Sequence, residues 1–404
     1  MMDKEKYISV KSGVTGYSFA NIGAFTGFAN GGFNAVYSLV LFGLFTGVLS
    51  NENMASSAVG VYAALYAVWC MIISFFSKEL LCRFPKIRVL YVAFLLVVVG
   101  NVMMGLSHSV WDFVVFDYLS GLGATLVWML IPLFMADFSG NIGMAKLNAR
   151  YYLWINIGYL IAPLVALNVA AFFNDYKIAF FISGLFYALG FLFLSRLNVV
   201  QAHKKVNKKC ETDTLRMLKK NAVAFFRTKG MFRAYLISFG YWAFFYMRLL
   251  YIPIIMIEQG FSAANLSFLL TVGIVPYIFI DLVIGSVVKK VGKEIILATG
   301  LILSIVLSVC AIFATGWWLF AVFLVWECAG ALMEPVCDLL FFDNAKKKER
   351  AHYYGVFRTT AYLANIIVPI LGAICIAITG VTTSVWSVLV MISVGALFVL
   401  LRKM

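Results

Sequence analysis

The chain has 404 residues, of which 63% are hydrophobic and only 12% charged, with a formal net charge of +14. A soluble domain of this length would carry about 25% charged residues, so this composition excludes a soluble globular protein. A large positive charge can indicate nucleic-acid binding, but the basic residues lie in short segments between long apolar runs. That placement favours orientation in a lipid bilayer, and we expect no nucleic-acid partner.

Apolar runs of 18 or more residues, long enough to cross a hydrocarbon core, recur along the whole chain. They predict twelve membrane spans at residues 22–49, 58–77, 89–107, 110–134, 150–171, 177–197, 233–257, 265–288, 294–315, 317–340, 354–378 and 381–401. The polar segment 198–232 divides six spans from six. The predicted domains are therefore an N-terminal bundle (1–197), a basic linker (198–232) with a short amphipathic helix, and a C-terminal bundle (233–404).

The basic residues predict the orientation of these spans. An even number of spans places both chain ends on one side, and only Lys177 falls in a loop on the opposite side. The loops near residues 50, 108, 259, 316 and 380 contain no Lys or Arg. Because positive residues remain on the cytoplasmic face, we expect both termini and the linker to be cytoplasmic in the plasma (inner) membrane.

Two basic hairpins, residues 78–90 and 285–297, lie between apolar runs and start about half a chain length apart. The second hairpin is too short to contain a folded loop. Its two glycines, Gly285 and Gly292, would permit a tight turn. Internal repeats of this kind are common in transporters and indicate a duplicated membrane protein.

The hairpins resemble the G-x-L-a-D-R-x-G-R-[KR] loop of the major facilitator superfamily, with Lys289 in the place of the aspartate. The matching positions are Gly285, Val287, Lys290, Gly292 and Lys293 in the second copy and Leu80, Arg83, Lys86 and Arg88 in the first. This resemblance implies an all-α membrane protein, in which twelve transmembrane helices form two pseudo-symmetric six-helix bundles around a central cavity.

Span 4 carries Asp117 before Gly121 and Gly123, a stretch similar to the family's R-x-x-x-G-x-G motif. In many drug antiporters of the family, the arginine of that motif is linked to proton transfer. Here an aspartate stands in its place, which makes Asp117 a candidate for proton coupling with an altered relay.

Two further charges lie deep in the apolar runs. Arg248 is about fifteen residues into span 7 and Glu327 about ten residues into span 10 from the opposite face, roughly 20 Å and 15 Å at helical rise. An ionisable group at mid-bilayer is a functional candidate and is expected to have a partner. We predict that the two side chains pair and couple transport to protons; the alternative is a fixed structural ion pair.

Span 10 also places Glu327, Glu334 and Asp338 on one helical face. Carboxylates gathered in a low dielectric hold a proton more readily, as a proton carrier needs. For the shallower ones we favour a cytoplasmic latch that holds the helices in one conformation. The predicted latch residues are Asp281, Glu334, Asp338, Arg358, Gly285, Gly292 and Arg83.

Polar and aromatic side chains follow one face of several spans. The predicted cavity residues are Asn30, Asn34, Tyr37, Tyr66, Trp128, Asn156, Tyr241, Phe245, Tyr362 and Asn365. Each stripe taken alone is more typical of helix–helix packing. Aromatic rings converging with one cation would suit an amphipathic or aromatic organic solute.

The sequence contains no P-loop, hydrolase or metalloprotease motif, and its three histidines are scattered. We expect no cofactor, no metal and no enzyme activity, and a monomer in the bilayer. The favoured function is a proton-coupled secondary transporter that exports a small organic or drug-like solute by alternating access. One alternative is a proton symporter that imports an anionic or polar nutrient. Another is a membrane-embedded lipid-processing enzyme or a non-transporting receptor.

Overall fold

A computed structural model describes residues 7–9, 14–139, 144–201, 222–344 and 350–402. Its strands are β1 (Tyr7–Ser9) and β2 (Val200–Gln201). Its helices in the first half are α1 (Gly16–Ala20), α2 (Ile22–Leu49), α3 (Glu52–Arg83), α4 (Lys86–Gly105), α5 (Val110–Asp137), α6 (Met144–Phe173) and α7 (Ile178–Arg196). Those in the second half are α8 (Lys229–Glu258), α9 (Ala263–Val291), α10 (Lys293–Phe313), α11 (Gly316–Asn344), α12 (Arg350–Thr379), a 3-10 turn (Thr382–Ser384) and α13 (Val385–Leu401).

Twelve helices among the described residues are long and apolar enough to cross a membrane. This confirms the predicted all-α membrane fold, with α1 and α2 together forming span 1 and α3 to α13 forming spans 2 to 12. Several helices extend beyond the predicted spans; α3, for example, covers Glu52–Arg83 where 58–77 was predicted. Hydropathy marks only the part of a helix inside hydrocarbon, whereas the backbone hydrogen bonds continue until a turn ends them.

The helices form two compact units. The first contains Met1–Val40 and Trp69–Thr212, and the second contains Leu41–Val68 and Asp213–Met404. The end of α2 and the beginning of α3 therefore group with the second unit. The predicted domain boundaries at residues 197 and 233 stay a prediction, because a compact unit is a set of residues in contact and not necessarily a domain.

Glycines allow close helix contact in the first unit. A Cβ added to Gly158 of α6 would collide with the backbone of Gly27 in α2, so the two backbones touch. Small residues permit such an approach between membrane helices, where dispersion contacts and not water drive association. On the neighbouring helix α1, Phe19 stacks on Phe134 of α5 with ring centroids 5.0 Å apart.

Trp326 of α11 organises the core of the second unit. Its ring stacks on Phe244 of α8 at 3.7 Å between centroids and meets Trp386 of α13 edge-on at 5.3 Å. Its indole N–H donates to Ser308 Oγ of α10 at 3.1 Å, which satisfies its polar atom. One side chain thus ties α11 to three neighbouring helices and fixes the rotation of α11 about its own axis.

The two basic hairpins are tighter than the sequence indicates. Only Phe84 and Pro85 separate α3 from α4, and Gly292 alone separates α9 from α10. Gly292 has a φ of +90° and a ψ of 143°, a left-handed conformation that other residues adopt only with strain. Lys289 and Lys290 lie in the last turn of α9, where cations complement the helix dipole.

Two features lie at the edges of the predicted linker. β1 pairs antiparallel with β2, a two-stranded ribbon that hydropathy did not predict. Residues 222–227 are helical, and Phe225 is fully buried with its ring 5.9 Å from those of Tyr235 and Tyr353. The remainder of the predicted amphipathic helix, residues 215–218, lies outside the described residues.

Candidate functional site

The deepest charges of the second unit form a direct ion pair. Arg248 Nε of α8 donates to Glu327 Oε1 of α11 at 2.5 Å. Arg248 is 4% exposed and Glu327 is 2% exposed, so the pair is removed from solvent. The contact agrees with the prediction from their depths in the two spans, while the role of the pair stays a proposal.

Tyr277 of α9, which the sequence reasoning missed, completes this site. Its hydroxyl donates to Glu327 Oε2 at 3.3 Å, and the Arg248 Cζ atom lies 5.6 Å from its ring centroid. One turn earlier, Gly273 leaves room for the carboxylate, because a Cβ there would stand 2.9 Å from Glu327 Cγ. The only sequence signal was the four-residue spacing of Gly273 and Tyr277, which puts both on one face of α9.

The geometry makes the pair hard to disturb from one side alone. Both oxygens of the Glu327 carboxylate have donors, and the phenol supplies the second without bringing a charge. Removing one partner of a buried ion pair leaves an uncompensated charge and costs about 3–5 kcal/mol. Loss of either partner alone is therefore expected to destabilise the contact between α8 and α11.

Asp117 forms the polar centre of the first unit. Its side chain is fully buried in α5, and Oδ2 accepts a hydrogen bond from the Tyr37 hydroxyl of α2 at 2.7 Å. The Tyr37 ring stacks on Phe33 at 4.9 Å between centroids. Two residues predicted separately, one as a proton-coupling residue and one as a cavity residue, are thus in direct contact.

The other predicted cavity residues divide into two groups. In the first unit, Asn30 Oδ1 accepts from the Tyr187 hydroxyl at 3.0 Å and Asn34 Nδ2 donates to the Tyr159 hydroxyl at 3.0 Å, so both also serve helix–helix packing. Tyr241 of α8 is buried. All the others, Asn30 and Asn34 included, are partly exposed; the remaining six are Tyr66, Trp128, Asn156, Phe245, Tyr362 and Asn365.

The predicted latch is only partly described. Arg358 of α12 places its guanidinium over the Trp242 ring of α8, with Cζ 5.6 Å from the centroid. Arg83 and Glu334 are exposed. The surroundings of Asp281, Gly285 and Asp338 lie outside the described part of the structure, so the latch stays a prediction. Within the described residues, no group of three His, Cys, Asp or Glu side chains is placed to hold a metal ion.

Comparison with known proteins identifies the family. The family model described as Major Facilitator Superfamily matches residues 19–253 and 248–403, which together span nearly the whole chain. The chain belongs to the major facilitator superfamily. It is a transporter and not an enzyme, because proteins of the superfamily move solutes across membranes.

Relatives within the major facilitator superfamily are distant. The quinolone resistance protein NorA of Staphylococcus aureus (strain Mu50 / ATCC 700699) is 22% identical over 336 residues, 80% of this chain and 82% of that protein. Multidrug resistance protein 2 of Bacillus subtilis (strain 168) is 21% identical over 333 residues, 80% of each chain. A shorter match of 117 residues, to an uncharacterized MFS-type transporter of Enterobacter sp. (strain 638), covers 31% of that protein.

A solved structure of the same fold superposes over almost the full length. The peptide transporter POT in complex with sulfate has a TM-score of 0.73 to this chain, at 14% identity, with 99% of this chain and 96% of that chain covered. At this identity the likeness shows the fold alone. The solute and the driving ion must therefore be argued from the residues of this chain.

Proposed function

We propose that the protein is a proton-coupled secondary transporter that exports small organic or drug-like compounds by alternating access. The observation that carries the proposal is the buried Arg248–Glu327 pair, 2.5 Å apart and deep in α8 and α11. A carboxylate held this way changes its proton affinity when its cation moves away, which is the property a coupling site needs. The distant likeness to a quinolone resistance protein and a multidrug resistance protein supports export and a drug-like solute.

Coupling at this site works through competition for the Glu327 carboxylate. While Arg248 binds it, the carboxylate stays ionised and the two helices stay together. Binding a proton at Glu327 weakens the ion pair and allows α8 and α11 to separate, and release of the proton allows the pair to form again. Proton binding at Glu327 and the separation of α8 from α11 then shift each other's equilibrium, and this linkage is the basis of coupling.

Aromatic side chains on α8, in the two turns before Arg248, support an aromatic or amphipathic solute. Phe245 and Trp242 of α8 are partly exposed and meet edge-on at 5.4 Å between centroids. Such faces bind flat apolar groups and attract cationic ones. Tyr66, Trp128, Tyr362 and Asn365 stay predicted cavity residues on the same chemical argument.

Import of an anionic or polar nutrient by proton symport is the second candidate. Arg248 is the observation that favours it, because a buried guanidinium could exchange Glu327 for a substrate carboxylate or phosphate. Under this alternative the solute would move with the proton and not against it. The two candidates therefore predict opposite directions of transport under the same gradient.

The deciding experiment is transport in vesicles of both orientations with an imposed proton gradient, using norfloxacin and ethidium as probes. Export by antiport predicts accumulation in inside-out vesicles with an acidic lumen. Glu327→Gln should abolish that accumulation and leave counterflow exchange, since it removes the titrating group and keeps the cavity. Gradient-driven accumulation by Glu327→Gln with the parent's pH dependence would show that Glu327 is not the proton site.

We further propose a monomer in the plasma membrane with both termini and the 198–232 segment cytoplasmic, as the placement of Lys and Arg indicates. Cysteines introduced at Ser50 and Asn207 check the orientation in sealed cells. The first should react with an external membrane-impermeant reagent and the second should not. Light scattering of the purified protein checks the monomer.

A further inference from the structure

Tyr277 rests on α11 midway between two carboxylates. Its hydroxyl donates to Glu327 Oε2 at 3.3 Å. The same hydroxyl lies directly against Gly330, where any Cβ would occupy the position of the phenolic oxygen. The absence of a side chain at Gly330 therefore allows the phenol to lie along the surface of α11.

Glu327, Gly330 and Glu334 follow each other along one face of α11, at spacings of three and four residues. At about 1.5 Å of rise per residue the two glutamates stand about 10 Å apart along the axis, with the phenol between them. Glu327 is 2% exposed, whereas Glu334 is exposed. A buried carboxylate and an exposed carboxylate thus share one helix face.

A second phenol lies beside this path. Tyr241 of α8 is 3% exposed, and Glu334 and Tyr277 both act electrostatically on its hydroxyl. Among the described residues, its oxygen makes no hydrogen bond of ordinary geometry, but Glu334 lies near enough to interact with the hydroxyl as a hydrogen-bonding group. A buried hydroxyl normally forms a hydrogen bond with a protein group or with an ordered water. Tyr241 is therefore placed to extend a hydrogen-bonded path from Tyr277 towards Glu334.

We propose that Tyr277 conducts the proton between buried Glu327 and exposed Glu334, with Tyr241 and water completing the path to solvent. This inference rests on the proposed function, in which Glu327 is the group that binds the transported proton. The charged or titratable groups facing Tyr277 in the described structure are Glu327, Arg248, Glu334 and Tyr241. Those facing Tyr241 are Glu334, Tyr277, Cys337 and Arg248.

The transfer is balanced at every atom. The Tyr277 hydroxyl gives its proton to Glu327 Oε2 while its oxygen takes a proton from the hydrogen-bonded path on the Glu334 side. The net result is one proton moved from Glu334 to Glu327, with Tyr277 unchanged. The reverse sequence returns the proton to Glu334 and then to water, so the same path serves uptake and release.

The experiment measures protonation of Glu327 directly and needs no substrate. The full-length protein in lipid is subjected to a pH jump, and the carboxylic-acid C=O stretch is followed by time-resolved infrared spectroscopy. The signal that disappears in Glu327→Gln belongs to Glu327. Tyr277→Phe should slow its rise at least tenfold and leave its final amplitude unchanged. Tyr251→Phe is the matched control, because Tyr251 is equally buried in α8 but donates to Pro369 O at 3.2 Å, and its rate should equal the parent's.

A second variant protects the test against misfolding of Tyr277→Phe. Gly330→Ala keeps the phenol but displaces its oxygen from α11, and it should slow the signal as well. Rates within twofold of the parent in both variants would overturn the relay. A changed amplitude with an unchanged rate would also overturn it, because Tyr277 would then only position Glu327. If Glu327→Gln removes no signal between pH 5 and pH 9, the failure lies in the proposed function and not in the relay.

Discussion

Among the described residues, each compact unit has one fully buried carboxylate, but the two are surrounded differently. Asp117 in the first unit accepts a hydrogen bond from the neutral Tyr37 hydroxyl at 2.7 Å. Glu327 in the second unit binds the Arg248 guanidinium at 2.5 Å and the Tyr277 hydroxyl at 3.3 Å. Both carboxylates lie on apolar helices that cross the membrane, so the helical framework does not account for the difference.

The difference lies in what each contact demands of the carboxylate. A phenol can donate to an ionised carboxylate and can also accept from a protonated one, so the Tyr37–Asp117 contact tolerates both states. A guanidinium only donates and always carries charge, so the Arg248–Glu327 contact requires the ionised state. We therefore expect protonation to have a larger structural consequence at Glu327 than at Asp117, which is why we propose the coupling role for the second unit.

Substitution of Arg248 is expected to have the largest effect on the protein. We expect Arg248→Ala to lower the free energy of unfolding by about 3–5 kcal/mol, because it leaves a buried carboxylate without its charge. Both gradient-driven transport and counterflow should be lost. Arg248→Lys should retain part of each, since it keeps the charge but not the planar fork. Thermal unfolding in detergent and vesicle transport measure the two effects.

Two further variants control that result. Lys86→Ala removes a partly exposed ion pair with Asp137, 2.8 Å apart, and should cost less than about 1 kcal/mol. The double variant Arg248→Met, Glu327→Leu should recover most of the stability without transport, because no unpaired charge is left. An Arg248→Ala protein that unfolds at the parent's temperature would contradict the assignment of a tight buried pair.

A smaller effect is expected at Asp117. Asp117→Asn keeps an acceptor for the Tyr37 hydroxyl, so the free energy of unfolding should change by about 1 kcal/mol or less. Gradient-driven accumulation should fall only in part, at an unchanged pH midpoint, whereas Glu327→Gln abolishes it. Vesicle transport across pH 5 to 9 compares the two variants. The opposite ranking, with Asp117→Asn inactive and Glu327→Gln active, would move the proton site to the first unit.

The smallest effect on transport is expected at the two hairpins. Gly292 has a φ of +90°, so Gly292→Leu should cost about 1–2 kcal/mol of backbone strain and lower the transport rate. Pro85 has an ordinary φ of −57° in the matching hairpin, and Pro85→Leu is the control, with an expected change below about 1 kcal/mol. Equal transport rates and melting temperatures of the two variants would show that the left-handed turn at Gly292 is dispensable.

Several features of this protein are determined by the sequence alone. The twelve spans follow from hydropathy, because only an uninterrupted apolar helix satisfies its backbone inside hydrocarbon. The contact between Arg248 and Glu327 also follows, since two opposite charges at overlapping depths are too costly to bury apart. The glycine at position 292 also predicts the turn there, because its missing Cβ allows a conformation that other residues avoid.

Other features were decided only by tertiary structure. Tyr277 is one of 20 tyrosines, and its four-residue spacing from Gly273 does not indicate that its hydroxyl meets Glu327. That contact depends on the rotation of α9 and α11 about their own axes, and a helix that is apolar on every face carries little sequence signal for its rotation. The packing of Trp326 between Phe244 and Trp386 sets that rotation for α11. The grouping of residues 41–68 with the second unit has the same origin, because contacts between distant helices depend on side-chain shape and not on hydropathy along the chain.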